Sequence, residues 1–177
     1  MGPSIINPNV FTDKRGTFHE TVNMDKLPWT KDVFVQQNIS TNHRNVWRGL
    51  HYQYEFPQGK LVRVLRGAVY DYVVDLRMWS PDFGVVRRYR LEADNTQLWV
   101  PEGFAHGFFT LEPETIFMYN VFGNSYCKED EYSIRPDEFD MIMKDFERFG
   151  RTDEGYSIIM SDKDKNGLTF QEAPKYG

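Results

Sequence analysis

Short apolar runs separated by turn-forming residues dominate the chain, and this pattern predicts a protein built mainly from β-strands. The runs are rich in Val, Leu, Tyr and Phe, with turn residues such as Ser80-Pro81-Asp82 between them. Such spacing is typical of a β-sandwich or a β-barrel. The pattern predicts strands at Val33–Ile39, Trp47–Gln53, Lys60–Leu65, Ala68–Arg77, Val85–Leu91, Gln97–Val100, Gly107–Thr110 and Ile116–Val121.

Helical periodicity is confined to one region towards the C-terminal end. Apolar residues recur at helical spacing within Glu138–Phe149, which predicts a helix there, and Met24–Leu27 is expected to form a turn. Successive antiparallel strands of this length bury their apolar faces by closing into a barrel or a double sheet. We therefore expect a single all-β domain over residues 1–177, with a few short helices near the C-terminus.

Polar residues on the predicted strands are candidates for a ligand site, because a small barrel or double sheet can hold a ligand inside. Alternation puts Lys60 on the same face as Val62 and Val64. If that face is interior, Lys60 is a buried cation that needs a partner or a ligand. The opposite register puts Leu61 and Leu65 inside, and the residues alone leave both registers open.

The next strand carries two carboxylates on one face. Asp71 and Asp75 alternate with Val69 and Val73, and we expect this face to be the wetter one. Asp71 is either a partner for Lys60 or a solvated strand charge.

Two of the four histidines, His51 and His106, lie within apolar surroundings, where a histidine is either a hydrogen-bonded core residue or a functional group. His19 and His43 have polar neighbours and are expected at the surface. The residue two positions after His51 is Gln53, so the His-x-His pair of many double-sheet metal sites is missing. Two histidines are too few to hold zinc or iron, and no metal is expected.

Composition narrows the function further. The formal net charge is -5 and the sequence has no long basic run, which argues against a nucleic-acid partner. The single cysteine, Cys127, excludes an internal disulfide. No apolar stretch is long enough to span a membrane, and no N-terminal run resembles a signal peptide, so a cytoplasmic location is expected.

A series of longer motifs follows between about Asn7 and Lys165. They are Asp13–Glu20, Val35–Ser40, Arg48–Gln53, Gln58–Arg63, Val74–Arg77, Ser80–Gly84, Leu98–Phe108 and Ser161–Asp164. The strings RGLHYQ at Arg48–Gln53 and LWVPEGFAHGF at Leu98–Phe108 are the most specific. In content and order, the motifs resemble those of the dTDP-4-dehydrorhamnose 3,5-epimerase family.

The resemblance implies a cupin-like jelly-roll double-sheet barrel, a homodimer and no cofactor. It also implies an isomerase that inverts C3, C5 or both in a nucleotide-diphospho 4-keto-6-deoxysugar, with dTDP as the expected nucleotide. The ketone acidifies the neighbouring carbons, so proton removal and return through an enolate suffices. The alternatives are a 3,4-ketoisomerase of the same substrate class and a non-catalytic sugar-nucleotide binding protein.

The resemblance also assigns roles by matching position. His51 would be the general base, a role that suits an imidazole near neutral pH. Asp164 would orient His51, and Tyr119 would be the acid on the other face of the ring. Lys60 would donate to the oxyanion that develops at O4, which favours the buried register.

Further positions match substrate contacts, and an arginine among them suits a diphosphate by bidentate hydrogen bonding. These positions are Arg15, Glu20, Gln36, Asn38, Arg48, His106, Glu131 and Lys163. A regular strand would put Arg48 and His51 on opposite faces. Either a bulge at Gly49 realigns them, or the two residues serve different subunits.

The chain departs from the family pattern around the expected sugar pocket. The loop Tyr54–Pro57 is short, Asn120 replaces the usual Lys after the acid, and Arg135–Glu138 replaces a Trp-x-Asp-Pro motif. Phe122–Asp130 is unlike the usual Tyr-rich segment, although Tyr126 is expected to retain one of its tyrosines. The proton-transfer residues are unaffected by these changes.

Overall fold

The computed structural model describes residues 1–27, 33–152 and 155–177. Strands joined by short turns are the main secondary structure of these residues. The strands are β1 (Ser4–Ile6), β2 (Val10–Asp13), β3 (Gly16–His19), β4 (Phe34–Asn42), β5 (Trp47–Gln53), β6 (Gln58–Arg66), β7 (Ala68–Asp75), β8 (Val86–Glu92), β9 (Gln97–Val100), β10 (Phe104–Thr110), β11 (Thr115–Gly123), β12 (Glu131–Ser133), β13 (Arg151–Thr152) and β14 (Gly155–Tyr156). The helices are α1 (Asp140–Phe149), α2 (Asp162–Lys165) and 3₁₀ turns at Met24–Lys26, Lys128–Asp130 and Pro136–Glu138.

Two five-stranded antiparallel sheets form the body of the fold. The first sheet has the strand order β1-β9-β6-β11-β4, and the second has the order β12-β5-β10-β7-β8. Strands β2 and β3 form a separate hairpin, and β13 pairs with β14 in another two-stranded sheet. The mainly β, double-sheet architecture predicted from the sequence is confirmed, and all eight predicted strands and the predicted helix are present within a few residues of their expected bounds.

The core between the sheets fixes the register of β6. Val62 and Val64 of the first sheet pack with Val69 and Val73 of the second in one buried cluster. Lys60 shares their side of β6 by alternation, so the register that puts Lys60 inside is the one adopted. Leu61 faces the opposite side, where it packs in a separate cluster of buried side chains.

The expectation that the Asp71 face of β7 is the wetter one is wrong. Asp71 and Asp75 are fully buried, because each finds partners that the strand pattern does not reveal. His106 binds Asp71, whereas Arg77 and Ser80 bind Asp75. A buried carboxylate is tolerated when its oxygens are hydrogen-bonded in this way.

Helix α1 covers the outer face of the second sheet. Its Ile142 and Phe146 join an apolar cluster that includes Trp47 and Tyr72. A polar contact anchors the same helix, because the buried Asp145 accepts hydrogen bonds from Tyr72 at 2.8 Å and from Arg88. No helix in the described part of the chain is long and apolar enough to cross a membrane.

Candidate active site

A cavity with two adjoining lobes opens between the sheets. The first lobe, of about 320 Å³, is lined on one side by Gln36, Gln53, Gln58, Tyr126 and Glu131. The second lobe, of about 340 Å³, contains Arg48 and His106. The residues that line both lobes are Asn38, His51, Lys60 and Tyr119. Three of the four predicted catalytic side chains therefore meet where the lobes join.

His51 is held by a carboxylate from another part of the chain. Its Nε2 lies 2.5 Å from Oδ1 of Asp164, although the two residues are 113 positions apart. Ser161 caps α2 by accepting a hydrogen bond from the backbone amide of Asp164 at 3.2 Å, which fixes the helix that carries the carboxylate. With Nε2 donating to Asp164, the lone pair of the neutral imidazole is on Nδ1. This dyad provides a general base oriented by a buried carboxylate.

Lys60 is a cation that lines both lobes of the cavity. Its position among core side chains of β6 lowers the pKa of its ammonium to about 8 through burial, and the charges of Glu131 and Asp71 oppose that shift only in part. An ammonium that has already lost much of its hydration interacts strongly with a negative oxygen placed beside it. The site can therefore stabilise an oxyanion.

Tyr119 lies on β11 and pairs with Asn38 of β4 in the sheet. Burial raises the pKa of the Tyr119 phenol, and a side-chain hydrogen bond with Asn38 counteracts this only in part. Asn38 itself accepts a hydrogen bond from Gln36 at 2.8 Å. A phenol with a raised pKa stays protonated at neutral pH, so Tyr119 is available as a proton donor.

A second histidine–aspartate pair borders the second lobe. His106 Nε2 lies 2.8 Å and 3.0 Å from the two carboxylate oxygens of Asp71. Burial raises the pKa of Asp71, and the contact with His106 limits the rise. The sequence predicts Lys60 or solvent as the partner of Asp71, whereas its hydrogen-bond partner in the structure is His106.

A bulge in β5 lets Arg48 and His51 face the same cavity. On β10, His106 pairs with His51 and Phe108 pairs with Arg48, so three steps on β5 match two on β10. Gly49 lies within the bulge at a φ of 136°. A Cβ there would come within 2.5 Å of the Cα of Gly107, so only glycine fits without a backbone shift.

Glu131 and Lys163 meet at the wall of the first lobe. They form an ion pair, and the Tyr126 hydroxyl donates a hydrogen bond to Glu131 at 2.9 Å. Burial would raise the pKa of Glu131, but the hydrogen bonds from Lys163 and Tyr126 outweigh it, so the pKa is lowered. A carboxylate is therefore held ionised near His51.

Two predicted substrate residues lie outside the cavity of their own chain. Arg15 is at the tip of the β2–β3 hairpin with its side chain 84% exposed, and it pairs with Asp13 at 2.6 Å. Glu20 follows the hairpin and pairs with Lys26. The single chain thus brings six of the eight predicted substrate residues to the cavity or its wall, and leaves these two outside.

The first lobe also contains two polar residues, Gln53 and Gln58, that the motif resemblance does not assign. Gln58 precedes Lys60 by two positions on β6, so strand alternation could have identified it once the register was known. Gln53 follows His51 by two positions on β5 and lines the same lobe. By contrast, Asn120 lies on the opposite face from Tyr119, where its side chain accepts a hydrogen bond from Gln37, so this departure from the family pattern does not border the lobes.

No group of three or more His, Cys, Asp or Glu side chains in the described residues is arranged to hold a metal ion. The chemistry available from the side chains themselves is proton transfer between a base and a phenol beside a buried ammonium.

Comparison with known proteins gives a consistent result. A family model described as dTDP-4-dehydrorhamnose 3,5-epimerase matches residues 1–172. An enzyme of that name from Methanothermobacter thermautotrophicus is 41% identical over 179 residues, which cover 99% of this chain and 93% of the relative.

Solved structures agree with the sequence match. The crystal structure of dTDP-4-dehydrorhamnose 3,5-epimerase from Sulfolobus tokodaii matches with a TM-score of 0.84 and 34% identity, over 100% of this chain and 95% of that one. The epimerase from Legionella pneumophila, solved in complex with dTDP-4-keto-L-rhamnose, matches with a TM-score of 0.81 and 34% identity, over 99% and 94% of the two chains.

Proposed function

The chain belongs to the dTDP-4-dehydrorhamnose 3,5-epimerase family and is an epimerase of a dTDP sugar, and from this premise we propose how its own residues perform the reaction. His51, oriented by Asp164, removes a proton from a carbon next to the C4 ketone of the sugar. Tyr119 returns a proton to the same carbon from the opposite face of the ring. The configuration at that carbon is thereby inverted.

His51 and Tyr119 together account for both proton transfers. Nδ1 of His51 takes the proton, the C–H electron pair forms a carbon–carbon double bond, and the carbonyl becomes an oxyanion at O4. Collapse of the enolate takes a proton from the Tyr119 hydroxyl, and exchange with solvent restores both side chains. Repetition at the second carbon flanking the ketone would invert both C3 and C5.

Lys60 supplies the electrostatic part of the catalysis. Its ammonium interacts more strongly with the enolate oxyanion than with the neutral ketone, so it lowers the barrier rather than tightening ground-state binding. Because burial among core side chains has already removed part of its hydration, little reorganisation is needed when the oxyanion forms.

The nucleotide is held by the remaining polar residues. Arg48 carries a permanent positive charge, which suits the diphosphate, and His106 lies in the same lobe. We propose contacts from the other predicted substrate residues as well. They are Arg15, Glu20, Gln36, Asn38, Glu131 and Lys163.

The observation that carries this proposal is that His51, Lys60 and Tyr119 line the same two lobes although they come from three different strands. The test is incubation of the protein with dTDP-4-keto-6-deoxyglucose in deuterated water, followed by NMR. We expect deuterium at C3 and C5 together with the inverted product. Formation of a 3-keto sugar would indicate a ketoisomerase instead, and binding without any deuterium would indicate a non-catalytic protein.

We further propose that the chain works as a homodimer. The hairpin β2–β3 exposes the cross-strand pair Phe11 and Phe18, which are 62% and 67% accessible. Strand β4 is the edge of the first sheet and exposes Phe34 and Ile39. Apolar side chains and an open sheet edge of this kind favour association with a second copy.

Dimer formation also gives a role to Arg15. The hairpin would carry Arg15 and Glu20 towards the cavity of the partner, in keeping with the substrate contacts that the family resemblance implies for them. Phe18→Glu should convert the dimer to a monomer in light scattering, whereas Trp79→Glu, at an equally exposed site in a different region, should not. A wild-type chain that is monomeric at micromolar concentration would refute the proposal. The single-domain organisation and the cytoplasmic location stay predictions.

A further inference from the structure

The connection between β5 and β6 links two catalytic strands that belong to different sheets. It consists of residues 54–57, between Gln53 at the end of β5 and Gln58 at the start of β6. The first strand carries His51 in the second sheet, and the other carries Lys60 in the first sheet. Because both flanking glutamines line the first lobe, the connection forms part of the rim of the cavity.

One buried carboxylate holds this connection. Oδ1 of Asp130 accepts hydrogen bonds from the amides of Tyr54 at 3.2 Å and Glu55 at 2.9 Å. Its Oδ2 accepts another from the amide of Phe56 at 2.8 Å. Asp130 is only 5% exposed. Three consecutive amides bound to a single carboxylate fix the backbone of most of the connection, since charge-assisted hydrogen bonds are the stronger kind.

Other polar side chains tie the same two segments together. Gln53 accepts a hydrogen bond from the amide of Cys127 at 2.8 Å and donates one to the carbonyl of Phe56 at 2.9 Å. Asn124 donates to the carbonyl of Pro57 at 2.9 Å and accepts from Gln58 through its own carbonyl. The connection is therefore bound along its length to the segment that leads into β12.

The residue after Asp130 is part of the cavity wall. Glu131 forms the ion pair with Lys163, and Lys163 precedes Asp164, the partner of His51. Asp130 thus lies where the connection from His51 to Lys60 meets the segment that carries Glu131. A shift at this point would move the base relative to the ammonium.

We propose that Asp130 is a positioning residue that sets the distance between the general base and the oxyanion donor, a role that rests on the function proposed above. Asp130 itself binds backbone amides rather than substrate. Its effect is on the relative placement of His51 and Lys60, which must reach a ring carbon and O4 of the same sugar.

Misplacement of reacting groups should lower turnover more than binding. A displacement of about 1 Å costs on the order of 10²-fold in rate, whereas Arg48, the proposed diphosphate contact, lies in the other lobe, away from the connection that Asp130 holds. For Asp130→Ala we expect kcat to fall at least about tenfold, with KM changing less than about threefold. Asp130→Asn, which replaces an acceptor oxygen with a donor facing an amide, should lie between Asp130→Ala and the wild type.

Asp145→Asn is the matched control. Asp145 is a buried carboxylate with several hydrogen bonds, and it anchors α1 to the outer face of the second sheet, away from both lobes. We expect it to lower the melting temperature, as the Asp130 variants do, while kcat and KM stay at wild-type values. All steady-state measurements are made at least about 15 °C below the melting temperature of the least stable variant, so that unfolding does not contribute.

The outcomes separate the two proposals. A wild-type protein without deuterium incorporation at C3 or C5 refutes the proposed function. If the wild type exchanges deuterium and Asp130→Ala has an unchanged kcat, the positioning role is refuted and the function stands. A fall in kcat of the same size in Asp145→Asn would also refute it, because the effect would then follow from loss of stability alone.

Discussion

The ionisation of Lys60 should set the upper pH limit of activity. Burial lowers its pKa from 10.5 to about 8, so the charged form that stabilises the oxyanion is lost as the pH rises through about 8. The pKa of Tyr119 is raised by burial, so the phenol ionises at a still higher pH and is not the cause of this limit. We expect kcat/KM, which reports the free enzyme, to decline above about pH 8.

The size of this decline in activity follows from the pKa shift of Lys60. A change from 10.5 to about 8 corresponds to a net destabilisation of the charged form by about 3 kcal/mol. At pH 7 about 90% of the molecules then carry a protonated Lys60, and at pH 9 about 10% do. The value of kcat/KM should fall about tenfold for each pH unit once the pH is well above 8. Replacement of the ammonium by a neutral side chain of similar size in Lys60→Met should cost on the order of 10²- to 10³-fold in kcat.

The assay is initial-rate epimerisation between pH 6 and pH 10, with circular dichroism at each pH to confirm folding. Lys60→Met should lose the decline above pH 8 together with most of its activity, since the ionising group is gone. Lys60→Arg keeps a charge that does not titrate in this range, so its low residual rate should be flat above pH 8. A wild-type decline that persists unchanged in Lys60→Met would refute the assignment of Lys60.

Two further variants test the geometry of the site. Asp164→Asn should keep the fold but lower kcat by about 10²-fold or more, because an amide cannot stabilise the charged imidazole of His51; an unchanged rate of deuterium exchange would contradict the dyad. Gly49→Ala should lower the free energy of unfolding by about 1–3 kcal/mol and reduce activity, since its Cβ would meet the backbone of Gly107 at 2.5 Å. Gly2→Ala, where nothing lies within 4 Å, is the control and should unfold at the same denaturant concentration as the wild type.

Much of the sheet framework could be predicted because its strands are apolar runs separated by turn-forming residues. Strands β5 and β9 begin and end at the predicted residues. The hairpin β2–β3 was missed because its residues are almost all exposed and show no buried face. Helix α2 is four residues long, which is too short for a helical period to be recognised.

The arrangement of side chains in the site could not be predicted from the strand pattern alone. Both faces of β6 are apolar, so alternation alone could not decide whether Lys60 faces the core. The alignment of Arg48 with His51 needed the bulge at Gly49, which a regular period excludes. Asp71 was misjudged because its partner, His106, is 35 positions away and reaches it only in the folded sheet.

Motif resemblance supplied what local patterns could not, because it relates residues that are distant in the chain. The pairing of His51 with Asp164 is such a case. The role of Asp130 could not be predicted from motif resemblance. Its partners are backbone amides, which any residue other than proline can provide, so the sequence does not identify them.

The central claim is that His51 and Tyr119 act on the same carbon from opposite faces of the sugar ring. The most direct measurement is deuterium incorporation at C3 and C5, compared with inversion of the same carbons, in the wild type, His51→Asn and Tyr119→Phe. We expect His51→Asn to lose both exchange and inversion by at least about 10²-fold, and Tyr119→Phe to retain exchange while losing inversion. Exchange at the wild-type rate in His51→Asn would contradict the account.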